Sequence, residues 1–156
     1  MAPSPADRPA SLRISRAPRP TRRGSLWYCG PVILGLGIDI AEIDRIEKAI
    51  RRFGDHFLFR LFTPAEIEYC ESHHNRYERY AGRFAVKEAA MKALGTGWRR
   101  GVRWTDFEVT REVSGKPAVR LSGRAAELAA QLGVRHIAVS ITHSGNTALA
   151  EVVFED

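Results

Sequence analysis

The sequence lacks several features that would assign the protein to a class. It has no run of 18 or more apolar residues, which a membrane-spanning helix needs, and no apolar segment typical of a cleavable signal. Its two cysteines, Cys29 and Cys70, have neither metal-ligand spacing nor the density of a disulfide framework. No internal repeat is present. We therefore expect a soluble, cytoplasmic protein with free thiols and no membrane contact.

A strong overall basic character is also missing once the charge is divided along the chain. The net charge is +6 over 156 residues, but residues 1–31 hold six arginines against one acidic residue. The remaining 18 basic and 17 acidic residues nearly cancel. Residues 1–31 are rich in Pro, Arg and Ser, so we expect a disordered extension there. Residues 32–156 are long enough for one domain with a hydrophobic core.

One predicted helix, from about residue 76 to 95, places charged side chains in an apolar segment. Its large apolar residues recur at helical spacing and are followed by glycines: Tyr80, Phe84, Met91, Leu94, Gly95 and Gly97. Four charged residues occur between them: Arg83, Lys87, Glu88 and Lys92. Two interpretations stay open from the pattern alone. The charges form i,i+4 pairs on a solvated face, or they lie in a site with partners of their own.

A mixture of strand and helix patterns surrounds this helix and predicts an α+β domain, with helices on one face of a largely antiparallel sheet. The first strand is a continuous apolar run, which we expect to be covered on both faces, with Asp39 near its end. Serine, proline and glycine residues typical of turns and helix caps separate the predicted strands and helices. The predicted strands are 32–39, 104–112, 117–121, 134–142 and 147–154, and the other predicted helices are 41–53, 64–72 and 123–132.

The predicted helix 41–53 is amphipathic, with its end marked by Gly54. At about 100° per residue, three basic side chains share its polar face. These residues, called here the cationic stripe, are Arg45, Lys48 and Arg52. Such a stripe is usually a solvated surface, and an acidic partner is the alternative.

Three separated motifs occur in a fixed order along residues 32–156. They are Gly37-Ile38-Asp39 followed by Arg45-Ile46; Gly82-Arg83-Phe84-Ala85-x-Lys87-Glu88-Ala89 running to Lys92 and Gly95-Thr96-Gly97; and Ser140-Ile141-Thr142-His143. Together they resemble the holo-acyl-carrier-protein synthases, the short, single-domain class of 4′-phosphopantetheinyl transferases. Members of this family transfer phosphopantetheine from coenzyme A to a serine of an acyl carrier protein and release adenosine 3′,5′-bisphosphate. The nucleophile therefore belongs to the partner, which agrees with the lack of a Ser/His/Asp constellation here.

The resemblance also implies roles for particular residues. Asp39 and Glu88 are expected to bind Mg²⁺, and either carboxylate, directly or through a bound water, can accept the serine proton. Lys92 is the third expected catalytic residue, paired with a phosphate oxygen. The expected coenzyme A contacts are Arg83, Lys87, Lys92 and His143. The family fold, a homotrimer with active sites between protomers, a carrier protein bound to the cationic stripe, and a place in fatty acid and lipid biosynthesis are further expectations of the same kind.

Two other functions compete with this one. The arginine-rich extension is compatible with a small nucleic-acid-binding protein, but that interpretation leaves Asp39, His143 and the charged helix without a role. A non-catalytic coenzyme A or nucleotide-binding module is the other alternative. The expected partners are therefore coenzyme A and an acyl carrier protein, with no nucleic acid.

Overall fold

Both strands and helices occur in the described part of the chain, residues 30–97 and 99–156 of a computed structural model. None of the helices described there is long and apolar enough to cross a membrane. In chain order the elements are β1 (Ile33–Glu42), α1 (Ile43–Leu61), α2 (Pro64–Glu71), α3 (Arg76–Ala93), a 3-10 turn (Trp104–Asp106), β2 (Phe107–Arg111), β3 (Pro117–Leu121), α4 (Gly123–Leu132), β4 (His136–Ser144) and β5 (Thr147–Glu155).

The strands form two antiparallel sheets. One has three strands in the order β1-β5-β4, and the other is the hairpin of β2 and β3. Helix α3 packs along the inner face of the larger sheet, mainly on β1 and β5. Alanines on β5 are fully buried there, namely Ala148 and Ala150. This arrangement confirms the predicted α+β fold with an antiparallel sheet and helices on one face.

The close approach of α3 to β1 depends on two glycines. A Cβ atom placed on Gly37 would overlap the carbonyl oxygen of Ala89, and one on Gly35 would overlap that of Ala93. The helix can therefore lie against β1 backbone to backbone, because both elements present only small residues there. The short distance between the two backbones determines which side chains of β1 and α3 can contact one another.

The described residues of the single chain leave the outer face of the larger sheet uncovered. Leu36, Ile38 and Ile40 of β1 retain 55%, 48% and 59% exposure, whereas Ala41 on the inner face retains 4%. The expectation that β1 is covered on both faces is therefore wrong for one chain. The alternation of glycines and large apolar residues in β1 gives its two faces different contacts: helix backbone on one and, in the isolated chain, solvent on the other.

Helix α1 differs from the prediction that it ends at Gly54. Gly54 is non-helical, with φ 54° and ψ −137°, but helix resumes beyond it as far as Leu61. The second segment contributes Leu58 and Leu61 to the core, where both are buried. Gly54 thus separates two helical segments, because a residue without a Cβ can adopt this conformation with little strain.

Other predicted ends are confirmed. Thr63 caps α2, since its Oγ1 accepts from the Glu66 backbone N–H at 3.3 Å while Glu66 Oε2 accepts from the Thr63 N–H at 2.8 Å. Helix α4 ends at Gly133 in the left-handed conformation. The strand predicted from residue 104 begins instead with the 3-10 turn, and β2 starts at Phe107.

Some predictions fall outside the described residues. The expected disorder of residues 1–31 concerns almost entirely residues 1–29, and Cys29 lies in the same segment. The other cysteine, Cys70, is a free thiol that is fully buried. Burial raises the pKa of its thiol to about 12, which disfavours the reactive thiolate at neutral pH.

Candidate active site

An ion pair joins β1 to the last turn of α3. The Lys92 ammonium donates to Asp39 Oδ1 at 2.7 Å and to the backbone oxygen of Ile38 at 2.8 Å. Asp39 lies within β1 rather than at its end, with its side chain on the inner face beside the helix. The lysine side chain remains 49% exposed and the aspartate 16%, so the pair is open to a ligand from solvent.

Glu88 belongs to the same cluster, one helical turn before Lys92. Partial burial raises the pKa of its carboxyl group, the negative charge of Asp39 raises it further, and the Lys92 ammonium partly offsets both effects. The structure therefore brings together the three residues that the sequence suggested as catalytic: Asp39, Glu88 and Lys92. Two carboxylates beside one ammonium make a centre of net negative charge when ionised, which favours an additional cation.

The fit of this cluster to Mg²⁺ follows from its donors. Asp39 and Glu88 offer carboxylate oxygens, which hard cations prefer, and the mutual repulsion expressed in the pKa of Glu88 is relieved by a cation. No group of three or more potential His, Cys, Asp or Glu ligands occurs among residues 30–97 and 99–156. A site with two carboxylates suits Mg²⁺ bound together with substrate phosphates and water, rather than a metal enclosed by protein ligands.

A second feature is a cavity of about 260 Å³ between α3, the β2–β3 hairpin and β4. Its lining combines three arginines and a histidine with small and apolar residues. The lining residues are Arg79, Gly82, Arg83, Val109, Thr110, Arg111, Pro117, Ile141 and His143. Three guanidinium groups without a carboxylate in the lining give a cavity suited to an anionic ligand.

Three buried polar atoms in and beside this cavity have no hydrogen-bond partner in the described part of the chain. They are Arg83 Nε, His143 Nε2 and Tyr69 Oη. The guanidinium carbon of Arg83 lies 4.0 Å from the centroid of the Tyr69 ring, and that of Arg111 lies 5.3 Å from it. Buried polar groups are rarely left unpaired. Their presence here indicates that a polar ligand completes the site.

The position of His143 depends on Gly82 of α3. A Cβ on Gly82 would lie 3.0 Å from His143 Nε2, so the glycine leaves room for the imidazole against the helix. On the other side, His143 Nδ1 lies 3.9 Å from Glu78 Oε1. The Nε2 atom, packed against Gly82, is the ring nitrogen that has no hydrogen-bond partner among the described residues.

Helix α3 separates the arginine cavity from the acidic cluster. Arg83 and Glu88 project from the helix about 140° apart. Asp39 of β1 and Ile141 of β4 both pair with Ala150 of β5, which is fully buried beneath α3. Neither Asp39, Glu88 nor Lys92 lines the cavity that contains His143. The two halves of the predicted site thus lie on opposite flanks of one helix.

Comparison with known proteins places this arrangement in a family. The model of the 4′-phosphopantetheinyl transferase superfamily matches residues 35–150. The chain belongs to this superfamily. The holo-[acyl-carrier-protein] synthase of Solibacter usitatus is 54% identical over 125 residues, which are 80% of this chain and 100% of that protein.

Solved structures support the same assignment. The holo-[acyl-carrier-protein] synthase of Neisseria meningitidis has a TM-score of 0.73 and 32% identity, covering 80% of this chain and 100% of that chain. The Helicobacter pylori synthase, solved in complex with coenzyme A, has a TM-score of 0.68 and 34% identity and covers 76% and 98%. The expected family is therefore confirmed.

Lys87 of this transferase requires a correction. Its side chain is fully buried, and its ammonium lies 2.8 Å from Glu66 Oε2. It also donates to the backbone oxygens of Trp104 at 3.1 Å and Phe107 at 2.6 Å. The expectation that Lys87 contacts coenzyme A is therefore wrong for this structure, because three protein acceptors occupy the ammonium away from solvent.

The cationic stripe of the transferase lies on α1, with Arg45, Lys48 and Arg52 all exposed. Ile46, on the opposite side of the helix, is 4% exposed and belongs to the core. The Arg52 guanidinium is 5.0 Å from the centroid of the Phe53 ring, which is itself 53% exposed. The structure thus offers a basic surface with an exposed aromatic residue beside it.

Three residues at the cavity were not identified from the sequence. Arg79 precedes Arg83 by one helical turn, so the i,i+4 spacing of two arginines was a signal that could have revealed it. Arg111 and Tyr69 come from β2 and α2, and only the tertiary fold brings them to α3. No local pattern marks them in the sequence.

Proposed function

We propose that this chain is a holo-[acyl-carrier-protein] synthase, which transfers 4′-phosphopantetheine from coenzyme A to a serine of an apo acyl carrier protein. The observation that carries the proposal is the cluster of Asp39, Glu88 and Lys92 in a fold that also provides an arginine-lined cavity. Relatives with the same printed name match over their full length. The alternative functions leave this cluster unexplained.

The reaction exchanges one phosphorus–oxygen bond for another. The serine oxygen of the carrier bonds to the phosphorus that holds pantetheine, and the bond from that phosphorus to the bridging oxygen breaks. Adenosine 3′,5′-bisphosphate leaves with the bridging oxygen. Asp39 or Glu88, directly or through a bound water, accepts the serine proton. Lys92 donates to a phosphate oxygen, a role supported by its exposure and by its present bond to Asp39.

Mg²⁺ is the proposed cofactor, with Asp39 and Glu88 as its protein ligands. When bound, it supplies positive charge that neutralises the phosphate oxygens. The two carboxylates orient the site, and Lys92 adds the second positive charge. The raised pKa of Glu88 supports a cation there, because a cation favours the ionised form that burial and Asp39 disfavour.

The arginine cavity is the proposed binding site for the nucleotide part of coenzyme A. Arg79, Arg83 and Arg111 suit its phosphates, and His143 Nε2 offers a further polar contact. The unpaired Arg83 Nε gives the same indication. Titration with adenosine 3′,5′-bisphosphate tests this assignment separately from turnover.

We also propose that the chain forms a homotrimer with active sites between protomers. The uncovered sheet face, with Leu36, Ile38 and Ile40, provides an apolar surface for contact between copies. In the proposed trimer, the acidic cluster of one chain lies beside the arginine cavity of another. This explains how one coenzyme A can use residues that α3 separates within a single chain.

The cationic stripe of α1 is the proposed docking surface for the carrier protein. Its basic residues suit an acidic helix of the partner, and β1 leads directly into α1, so the stripe begins close to Asp39. We assign the carrier to fatty acid and lipid biosynthesis and the reaction to the cytoplasm, following the family resemblance.

Intact-mass measurement of an apo acyl carrier protein, incubated with the chain, coenzyme A and Mg²⁺, tests the function. The expected result is a mass gain of one phosphopantetheine per carrier. Protein with Asp39→Asn, purified identically, controls for a transferase contaminating the preparation. Coenzyme A binding without any mass gain would favour the non-catalytic module. Salt-sensitive retention on DNA without transfer would favour the nucleic-acid-binding protein.

A further inference from the structure

Lys87 and Glu66 form a buried ion pair that the proposed reaction does not use. Their side chains are 0% and 1% exposed, and the ammonium and the carboxylate are 2.8 Å apart. Lys87 directly precedes Glu88 of the acidic cluster but projects about 100° away from it around α3. Burial lowers the pKa of Lys87, and the charge of Glu66 counteracts this effect.

Lys87 and Glu66 each connect elements of the fold through hydrogen bonds. Lys87 binds the backbone oxygens of Trp104 and Phe107, so it joins α3 to the start of β2. Glu66 Oε1 accepts from the Val109 N–H at 2.9 Å, and its Oε2 accepts from the Thr63 N–H at the start of α2. The ion pair and these four hydrogen bonds therefore fix α2, α3 and β2 to one another.

The arginine cavity lies directly beside these contacts. Val109, whose N–H is bound by Glu66, is part of the cavity wall, and Arg111 follows two residues later on the same strand. Arg83 is one helical turn before Lys87 on α3. Tyr69, which both arginines contact, is one turn after Glu66 on α2. Every element that supplies an arginine or its aromatic support is thus held by the pair.

A buried ion pair is weak evidence for stability, because an apolar pair of similar volume often stabilises a fold equally well. Its more specific effect is to restrict the geometry of the groups around it, since an ammonium with three acceptors tolerates few arrangements. The elements restricted here are the three that converge on the cavity. This favours a role in positioning over a role in stability alone.

The geometry points to Lys87 and Glu66 as positioning residues for coenzyme A binding: they set the distance between α3 and β2 and thereby the placement of Arg83 and Arg111. The inference rests on the proposed function, since it assigns the cavity to coenzyme A. It predicts that losing the pair weakens binding of coenzyme A and leaves binding of the carrier protein unchanged, because the cationic stripe on α1 does not contact either residue.

The test uses the full-length chain with Lys87→Met and Glu66→Gln combined, so that no single charge is left buried, while the introduced amide keeps an acceptor for the Val109 N–H. Tyr80→Phe is the matched control. It also removes a buried polar contact of α3, the 3.0 Å bond to Glu71, but it does not connect α3 to β2. Michaelis constants for coenzyme A and for the carrier are measured, with calorimetric titration of adenosine 3′,5′-bisphosphate and circular dichroism.

For the folded double variant, we expect the Michaelis constant for coenzyme A and the dissociation constant of the bisphosphate each to rise about tenfold or more. The constant for the carrier should stay within about twofold of wild type. Tyr80→Phe should leave all three unchanged. Equal increases in the Michaelis constants for coenzyme A and for the carrier would overturn the inference. An unchanged dissociation constant of the bisphosphate would also overturn it.

The experiment distinguishes failure of the proposed function from failure of the positioning role. If wild-type chain transfers nothing in the same assay, the proposed function fails, whereas a normal wild type with an unaffected double variant refutes only the positioning role. Should the double variant not fold, Glu66→Asp alone replaces it. That change keeps the negative charge opposite Lys87 but shortens the side chain that reaches Val109, so the same selective loss of coenzyme A affinity is expected, with unchanged affinity again counting against the inference.

Discussion

Glu88 of the acidic cluster lowers the stability of the fold as the pH rises. The folded state raises the pKa of Glu88 above its ordinary value through burial and the charge of Asp39. A carboxyl group with a raised pKa in the folded state favours folding when protonated, at low pH, and loses that contribution as the pH rises through its folded pKa. Glu88 therefore contributes less to the stability of the metal-free protein at neutral pH than at low pH.

Glu88→Gln should raise the melting temperature of the metal-free protein at pH 7, because the amide removes the buried charge and its repulsion with Asp39. The increase should vanish below the ordinary pKa of a glutamate, where the wild-type side chain is protonated as well. Thermal unfolding at both pH values is the measurement. Glu127→Gln, at an exposed position on α4, is the control and should change neither value. A lower melting temperature at pH 7 would contradict the prediction.

Although Glu88→Gln should raise the melting temperature, it should lower the rate of phosphopantetheine transfer. Asp39→Asn and Glu88→Gln are each expected to reduce turnover by about 100-fold or more, since both proton transfer and cation binding depend on the ionised carboxylates. The mass-based transfer assay with Mg²⁺ in excess measures this. Near-normal turnover in either variant, with the fold intact, would remove that residue from the proposed mechanism.

The residues expected in the acidic cluster lie together in the structure, whereas Lys87 lies elsewhere. Glu88 and Lys92 share a face of α3 because of their i,i+4 spacing, whereas the approach of Asp39 to them was implied by the family resemblance. Lys87 could not be assigned in this way. Its partner Glu66 lies 21 residues earlier on another helix, and only the tertiary packing turns the lysine toward it.

Among the elements, α1 carries the proposed docking surface for the carrier. Arg45→Glu should raise the Michaelis constant for the carrier at least about tenfold and leave that for coenzyme A near wild type, since the stripe acts on encounter with an acidic partner. The effect should shrink as salt increases. Arg120→Glu on β3, also an exposed arginine and one with a weak partner, is the matched control. Similar changes for both substrates would mean that Arg45 does not dock the carrier.

The contact between β1 and α3 gives a second prediction at this scale. Gly37→Ala should prevent folding or strongly destabilise the protein, because its Cβ would meet a helix carbonyl that cannot move independently. Gly82→Ala should be milder, since the nearest atom is His143 Nε2 on a side chain that can turn. Chemical denaturation compares the two. Equal stability losses would indicate that α3 can shift away from the sheet.

The positions of the helices and strands were largely predictable from the sequence. Which neighbour covers each face of an element was not. Caps such as Thr63 and Gly133 mark helix ends locally, so those ends were predicted correctly. In β1 the apolar run suggested burial on both faces, but the glycines at 35 and 37 face a helix and the large residues face outward. A sequence reports which residues are apolar without reporting which neighbour covers them.

For the whole molecule, mixing two inactive variants tests the shared site. One chain carries Asp39→Asn, and the other carries Arg83→Ala with His143→Ala. If sites form between protomers, randomly mixed trimers should regain about a quarter of the sites, because half of the chains supply an intact acidic cluster and half an intact cavity. Mixing Asp39→Asn with Glu88→Gln is the control and should regain nothing. A lack of recovery in the first mixture would place both halves in one chain.

The position of α3 between the two halves also determines how activity should scale with the amount of protein. A catalyst with all its groups in one chain has the same turnover per chain at any dilution. If each working centre combines two copies, as proposed, mass action governs the fraction of competent chains. Below the dissociation constant of the assembly, turnover per chain should fall as the protein is diluted, and the cell could then silence the reaction simply by making less of the chain.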